Sequence, residues 1–269
     1  GEMMRILVRT FNKFPKFKNS CKINILEKSE LLQRTQKINI KDAKIKWLDN
    51  LNELNNFPCI FIANEFFDAL PIKQFLKKEK KWYERHVKFT NNKKLEYLDV
   101  PFDMEKFEKE IKFKISYNQK FIEYSPLATK YLKTIIKKIK LNNGGILIID
   151  YAYLDKEMKN TLQAVSKHKY CNVLKSFRNS DITYNLSFSL INKIIKKLGP
   201  CLSLSTTQKK FLTKLGILDR AEILSKNMPF SQKADIYFRI KRLIDESQMG
   251  DLFKVMFITN FKNKFKLGF

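Results

Sequence analysis

The sequence predicts an α/β fold built on a parallel, doubly wound sheet, and three observations carry this. Two continuously apolar runs of strand length, residues 59–63 (CIFIA) and 146–149 (ILII), each end in polar residues, as strands covered on both faces do. Helix-periodic segments alternate with the strand-like ones, and such alternation places a parallel sheet between helices on both faces. The 269 residues, 44% of them apolar, suffice for one large domain, or one domain with a sizeable insertion, around a real core.

In chain order, residues 3–14 carry apolar side chains at Ile6, Leu7, Phe11 and Phe14 with cations between, a helical period that Pro15 ends. Residues 22–27 (KINILE) form a short apolar run closed by an acid. Ser29 stands at an N-cap position before residues 30–37 (ELLQRTQK). Residues 45–48 are a further short strand, 50–56 a polar break, and 59–63 a central strand. Residues 81–89 (KWYERHVKF) alternate apolar and polar, and 94–100 (KLEYLDV) partly do, so they pair as an antiparallel hairpin across Thr90-Asn91-Asn92. Residues 73–120 therefore read as an insertion or lid. A helix over 131–139 precedes the turn Asn142-Asn143-Gly144-Gly145 and the strand 146–149, which Asp150 follows. Residues 155–210 are mixed, with a helix at 190–198 closed by Gly199-Pro200, and 234–260 read mostly as helix.

Lys and Arg total 53 against 27 acids, a formal net charge of +26. The lysines are spread along the chain beside abundant Asn and Ile, as AT-rich coding produces, and spread lysines specify no partner. That makes nucleic acid an unlikely ligand, although residues 11–18 (FNKFPKFK) and 261–269 (FKNKFKLGF) interleave aromatics with cations as single-strand binders do. No apolar run approaches the roughly 18–20 residues of a membrane span, and the first 14 residues lack a signal-peptide pattern. Cys21, Cys59, Cys171 and Cys201 are far apart and only two histidines are present, which leaves few ligands for a metal site and fits a reducing compartment. The composition favours a bacterial cytoplasm, with the mitochondrial matrix as the alternative. The oligomeric state stays open, a homodimer included.

In an open parallel sheet, ligands bind beyond the carboxyl ends of the strands. Glu27 stands at one such end, where an acid either accepts both hydroxyls of a ribose or interacts with the following helix N-terminus. Residues 63–71 (ANEFFDALP) follow another strand. Either Asn64 is a turn residue, Glu65 and Asp68 begin a helix and Phe66 and Phe67 are core, or the phenylalanines wall a low-dielectric mouth in which the two acids orient a cationic substrate. Three residues apart, Glu65 and Asp68 would share a face on one helical turn. His168 is either a hydrogen-bonding group of the acceptor site or a structural histidine, and Tyr151 either stacks on a ligand or packs in the core. His86, within the hairpin, is read as structural.

Residues 63–75 (ANEFFDALPIKQF) resemble the signature of the MidA-type methyltransferases. Further stretches match in order: 25–36 (ILEKSELLQRTQ), 82–87 (WYERHV), 122–126 (IEYSP), 144–153 (GGILIIDYAY), 161–174 (TLQAVSKHKYCNVL), 180–183 (SDIT), 198–200 (LGP) and 208–224 (QKKFLTKLGILDRAEIL). The resemblance covers most of the chain and implies a Rossmann-like class I methyltransferase sheet with a β-hairpin insertion, its domain formed by residues 1–72 and 121–269. It implies S-adenosyl-L-methionine as cofactor and, as partner, a protein substrate whose arginine is methylated, in the mitochondrial relatives a subunit of respiratory complex I.

Carried over residue by residue, the resemblance makes Glu27 the ribose ligand, sets Asp49 or Asn50 near the adenine, and turns Asn64 toward the methionine end of the cofactor. Glu65 and Asp68 would hold the acceptor guanidinium, with Phe66, Phe67, Tyr151 and His168 around it. Gly1 aligns with the last glycine of the family's glycine loop, so the first strand and most of that loop are expected to be missing, leaving a truncated member that is weakly active or inactive. Ala152 stands where the family has glycine after Asp-Tyr, and Arg178-Asn179 replaces its Pro-Gly. Two rival readings are a non-catalytic interaction remnant of the family and a basic RNA-binding protein.

Overall fold

The computed structural model describes every residue except 41, 43, 93, 168, 177 and 178. The chain divides into two compact units, Gly1–Phe57 and Pro58–Phe269.

The first unit opens with helix Glu2–Phe11. Pro15 does not close that helix. It opens a second one, Pro15–Ser20, at the first-turn position where the missing N–H costs nothing. Strand β1 (Asn24–Leu26) then leads into helix Glu30–Ile40, where the Ser29 hydroxyl accepts from the Leu32 amide (3.3 Å). Strand β2 (Lys46–Leu48) lies parallel to β1, with Asn24 opposite Lys46 and Leu26 opposite Leu48. Val8, Ile40 and Ile45 form the buried centre, and Met4, Ile23, Ile25 and Trp47 pack against it.

The second unit holds three sheets. Strands β3 (Cys59–Asn64), β4 (Lys73–Lys78), β5 (Lys81–Phe89), β6 (Leu95–Phe102) and β7 (Phe121–Tyr124) come first in the chain, then β8 (Gly144–Tyr153), β9 (Gln163–Ser166), β10 (Lys169–Cys171) and β11 (Asp181–Thr183). Strands β12 (Leu186–Ser187), β13 (Cys201–Thr207) and β14 (Phe253–Asn260) complete the set. The main sheet is ordered β13-β14-β8, and both β3 and β12 run parallel to β8. A second, antiparallel sheet is ordered β6-β5-β4-β7. Its β5–β6 hairpin closes as expected, with the Thr90 amide donating to the Lys94 carbonyl (2.8 Å). Three of its strands come from residues 73–120 and the fourth, β7, follows directly. The third sheet is the small β10-β9-β11 set.

Helices Pro126–Asn142 and Phe188–Leu198 pack on each other and on β8, while Gln208–Lys214 and Met249–Leu252 pack on β13 and β14. Ser125 and Ser187 cap the first two of these helices through their hydroxyls. Phe75, Ile115, Ile122 and Tyr124 form a core between the antiparallel sheet and Leu190 and Ile194 of helix Phe188–Leu198. Among the described residues no helix is long and apolar enough to cross a membrane.

Three expectations need correction. Residues 234–260 are not mainly helix: helix Phe230–Ile244 and the turn of Met249–Leu252 give way to β14, the central strand between β8 and β13. A continuously apolar run such as Val255–Ile258 has no period that separates a buried strand from a buried helix. The main sheet is also mixed, because β14 runs antiparallel to both neighbours. Finally, β3 is not covered on both faces. It pairs with β8 along one edge, and Ile60 (76% exposed) and Ile62 (40%) project from a face without packing cover.

Gly144 begins β8 with φ +108, and a Cβ there would lie 2.0 Å from the Cys59 carbonyl oxygen. Only glycine allows the β3 and β8 backbones to meet at this point. Gly144→Ala is expected to cost about 2–4 kcal/mol, read as a lower urea midpoint with unchanged slope. An unchanged midpoint would contradict the close approach.

Candidate active site

The turn after β3 is held by its backbone. The Glu65 amide extends the ladder to the Ile149 carbonyl (3.0 Å), and Glu65 then takes a left-handed conformation, φ +48. This is not the helical turn on which Glu65 and Asp68 were expected to share a face. The reversal carries the chain past the point on β8 where its ladder with β3 stops. There Asp150 Oδ2 accepts from the amides of Phe67 (3.1 Å) and Asp68 (3.3 Å), and Oδ1 accepts from the Tyr151 amide (2.9 Å). The Asp68 carbonyl accepts from the Tyr184 amide (3.2 Å), and the Ser125 hydroxyl donates to the Pro71 carbonyl (2.8 Å). The segment is thus tied to β8, to the approach to β12 and to the start of helix Pro126–Asn142.

The side chains sort by depth. Asn64 and Glu65 are exposed, and Asn64 Nδ2 donates to Glu65 Oε1 (3.2 Å). Phe66 is half-buried, edge-on to Phe67 (5.1 Å) and tilted against Tyr131 (5.4 Å). Phe67 is fully buried, so it anchors the turn from beneath and does not form the expected outer wall. Asp68 is 3% exposed, and its Oδ1 is buried without a hydrogen-bond partner among the described residues. Burial and the neighbouring Glu65 push Asp68 up to about 6; burial and Asp68 push Asp150 up to about 8. Tyr151 stacks on Phe253 (4.2 Å between centroids), and burial together with Glu65 and Asp68 raises its phenol. The structure therefore brings Glu65, Asp68 and Tyr151 together, with Asp150 behind them. His168 lies outside the described residues.

A cavity of ≈ 40 Å³ lies beneath the turn, lined by Phe67, Glu123, Ser125, Tyr184 and Asn185 among others. It has room for water, not for a side chain. Glu123 is buried there, and its carboxylate accepts from Gln74 Nε2 (2.8 Å), the Thr161 amide (3.0 Å) and hydroxyl (2.5 Å), and the Leu162 amide (3.1 Å). Burial raises its pKa while these donors hold it down.

In the first unit, Glu27 follows β1 and is half-buried. Its Oε1 accepts from the Ser29 amide (2.9 Å) and its Oε2 from Gln36 Nε2 (2.9 Å), and Gln36 Oε1 accepts from the Trp47 indole (2.9 Å). A Cβ at Gly1 would lie 3.1 Å from Cγ of Gln36. Gly1 and Glu27 therefore both border Gln36. Asp49 and Asn50 are exposed and both amides donate to Glu53 Oε1 (2.8 and 2.9 Å), while Lys28 donates to the Asp49 carbonyl. Asn50 Oδ1 also caps the short helix Leu51–Glu53. Gln36, Glu53, Asp150, Tyr184 and Glu123 were missed from the sequence. Only Asp150, an acid closing a buried strand, carried a readable signal.

Residues 1–204 match the profile of a family described as "Putative S-adenosyl-L-methionine-dependent methyltransferase". Among curated proteins, the chain is 27% identical over 216 residues to "Protein arginine methyltransferase NDUFAF7, mitochondrial" of Danio rerio, a match covering 80% of this chain and 51% of that protein. It is 24% identical over 284 residues to the Xenopus tropicalis protein of the same name, covering 94% and 64%. The chain thus spans between half and two thirds of the length of these relatives. Among solved structures, a Burkholderia thailandensis protein bound to S-adenosyl-homocysteine superposes with a TM-score of 0.74 at 23% identity, covering 91% of this chain and 66% of that one.

Asp68 and Asp150 keep their protons in the folded chain at pH values where an unfolded aspartate, near pKa 4, has lost them. The stability they contribute is full below about pH 4 and is lost as the pH rises through about 6 and about 8. The stability difference between wild type and Asp68→Asn/Asp150→Asn is expected to shift against wild type over that window. The slope would approach about 1.4 kcal/mol per pH unit for each retained proton. A pH-independent difference in urea titrations would contradict the assigned shifts.

Proposed function

Taking as premise that the chain belongs to this S-adenosyl-L-methionine-dependent methyltransferase family, we propose that it methylates arginine side chains of a protein substrate, a subunit of respiratory complex I. The observation that carries the proposal is the pair of acids on one pinned turn, Glu65 open to solvent and Asp68 buried with an unpartnered Oδ1. A guanidinium is planar, always charged in water and rich in N–H donors, and paired carboxylates both align its nitrogens and offset its charge. On this reading Glu65 meets the cation first and Asp68 receives it at the floor.

The nitrogen that takes the methyl group must shed a proton. Asp68 Oδ1 has no other donor among the described residues and is the atom to accept it, helped by burial that raises the acid's proton affinity. Phe66 and Tyr151 wall the mouth, and Phe67 fixes the turn from below. Residues 73–120 serve as the insertion of a domain formed by 1–72 and 121–269. The compartment follows the substrate: a bacterial cytoplasm, or the mitochondrial matrix, the relatives' names carrying the word mitochondrial.

The donor set of the first unit fits the cofactor. Glu27 spends one lone pair of each oxygen on Ser29 and Gln36, and a carboxylate keeps further lone pairs for ribose hydroxyls. Gly1 offers backbone without a side chain beside Gln36. Asp49, Asn50 and Asn64 complete the proposed cofactor contacts, at the adenine and methionine ends. When bound, S-adenosyl-L-methionine supplies an electrophilic methyl group. The protein's part is to bind, orient and exclude water.

Calorimetry with S-adenosylhomocysteine tests the reading. We expect saturable binding that Glu27→Ala weakens by about tenfold or more, the loss of about one charge-assisted hydrogen bond. No binding by the wild-type chain, or binding indifferent to Glu27→Ala, would overturn the assignment of this site.

A further inference from the structure

Asp150 has no place in the acceptor chemistry just described, yet it is fully buried and 82 residues from its partner Asp68 in sequence. Three backbone amides converge on its carboxylate: Phe67 and Asp68 on Oδ2, Tyr151 on Oδ1. A buried acid is costly unless its lone pairs are filled, and here the donors filling them belong to the turn that carries Glu65 and Asp68. The amides of Phe67 and Asp68 would otherwise be orphaned at the point where the ladder between β3 and β8 stops. Asp150 thus continues strand pairing past its last residue with a side chain in place of a backbone carbonyl.

We propose that Asp150 is the positioning residue of the acceptor mouth, clamping the Phe67 and Asp68 amides so that Glu65 and the unpartnered Asp68 Oδ1 are presented to a cationic side chain. The proposal rests on the functional reading of Glu65 and Asp68, but the clamp itself does not. Three further observations support it. The Asp68 carbonyl is held from the opposite side by the Tyr184 amide, so the residue is gripped at both backbone groups. Phe67, between the clamp and the core, is fully buried and fixes the depth of the turn. The ionisable groups around the clamp are Glu65 and Asp68 on the turn, Tyr151 on β8, Tyr184 before β12 and Glu123 on β7. Asp150 acts on both tyrosines, Asp68 acts on Asp150, and among the described residues no cation is among the groups that shift it. An acid placed there for ion pairing would have one. An acid placed there to accept amides would not.

The test uses Asp150→Asn, which keeps the shape but replaces one acceptor oxygen by a donor, and Asp150→Ala, which removes both. In folded Asp150→Asn we expect exchange of the Phe67 and Asp68 amides to accelerate by about tenfold. S-adenosylhomocysteine affinity is expected to stay within about twofold, since of its proposed ligands Gly1, Glu27, Asp49 and Asn50 lie in Gly1–Phe57 and Asn64 is held by the β3–β8 ladder ahead of the clamped amides, while methyl transfer to an arginine peptide loses about tenfold or more in kcat/KM. Should Asp150→Asn fail to fold, the same amide exchange is read in Asp150→Ala; Glu123→Gln, whose carboxylate accepts nothing from the turn, is the control and should leave Phe67 and Asp68 protected. Unchanged amide exchange in a folded Asp150 variant would overturn the clamp. If wild type transfers no methyl group, the functional reading falls while amide exchange still decides the clamp.

Discussion

The second unit depends on the backbone of β8. Its amino end admits no side chain, because Gly144 meets the Cys59 carbonyl. Its middle pairs with β3 on one side and β14 on the other, and its carboxyl end pairs with β12. Its last buried polar residue, Asp150, then reaches past the ladder to hold the turn of Phe67 and Asp68. The main sheet and the candidate acceptor turn are therefore one hydrogen-bonded system. A turn so tied can keep a buried acid such as Asp68 in a fixed place, which a free loop cannot do without losing conformational entropy on each encounter.

The two acids of the mouth differ in a way that suits a cationic acceptor. Glu65 stands in solvent, where its charge is cheap to maintain and weak in effect. Asp68 and Asp150 are buried, where charge is costly and interactions are strong. An arriving guanidinium would relieve the cost of ionising the buried pair, so charge on the acceptor and charge on the floor favour one another. The first unit shows a second buried logic, in which Gln36 links the Glu27 carboxylate to the Trp47 indole and fixes the acid that would read a ribose.

Part of this was legible in the sequence for physical reasons. CIFIA, ILII and the alternating residues 81–89 declared strands through continuous or period-two apolarity, and Ser29 and Gly199 sit where their helix boundaries require, whereas the Ser125 cap and the helix turns before residue 131 were not read. The order of the MidA-like segments brought out Glu27, Glu65 and Asp68. β14 stayed hidden because FKVMFITN is buried along nearly all its length and carries no period. The depth of Asp68 and Phe67 was hidden too. Spacing says which residues are neighbours on a regular element, but the left-handed Glu65 ends regularity just before them. Asp150 and Glu123 act through backbone amides from distant segments, and such partners leave no local pattern.

The most direct measurement is the fate of a labelled methyl group. Incubation of the purified chain with methyl-labelled S-adenosyl-L-methionine and arginine-bearing peptides, read by fragmentation mass spectrometry, locates the label atom by atom. The account predicts label on a guanidinium nitrogen, lost in Glu65→Gln and Asp68→Asn. Label on a lysine or carboxylate, or label on arginine that survives both substitutions, would contradict it.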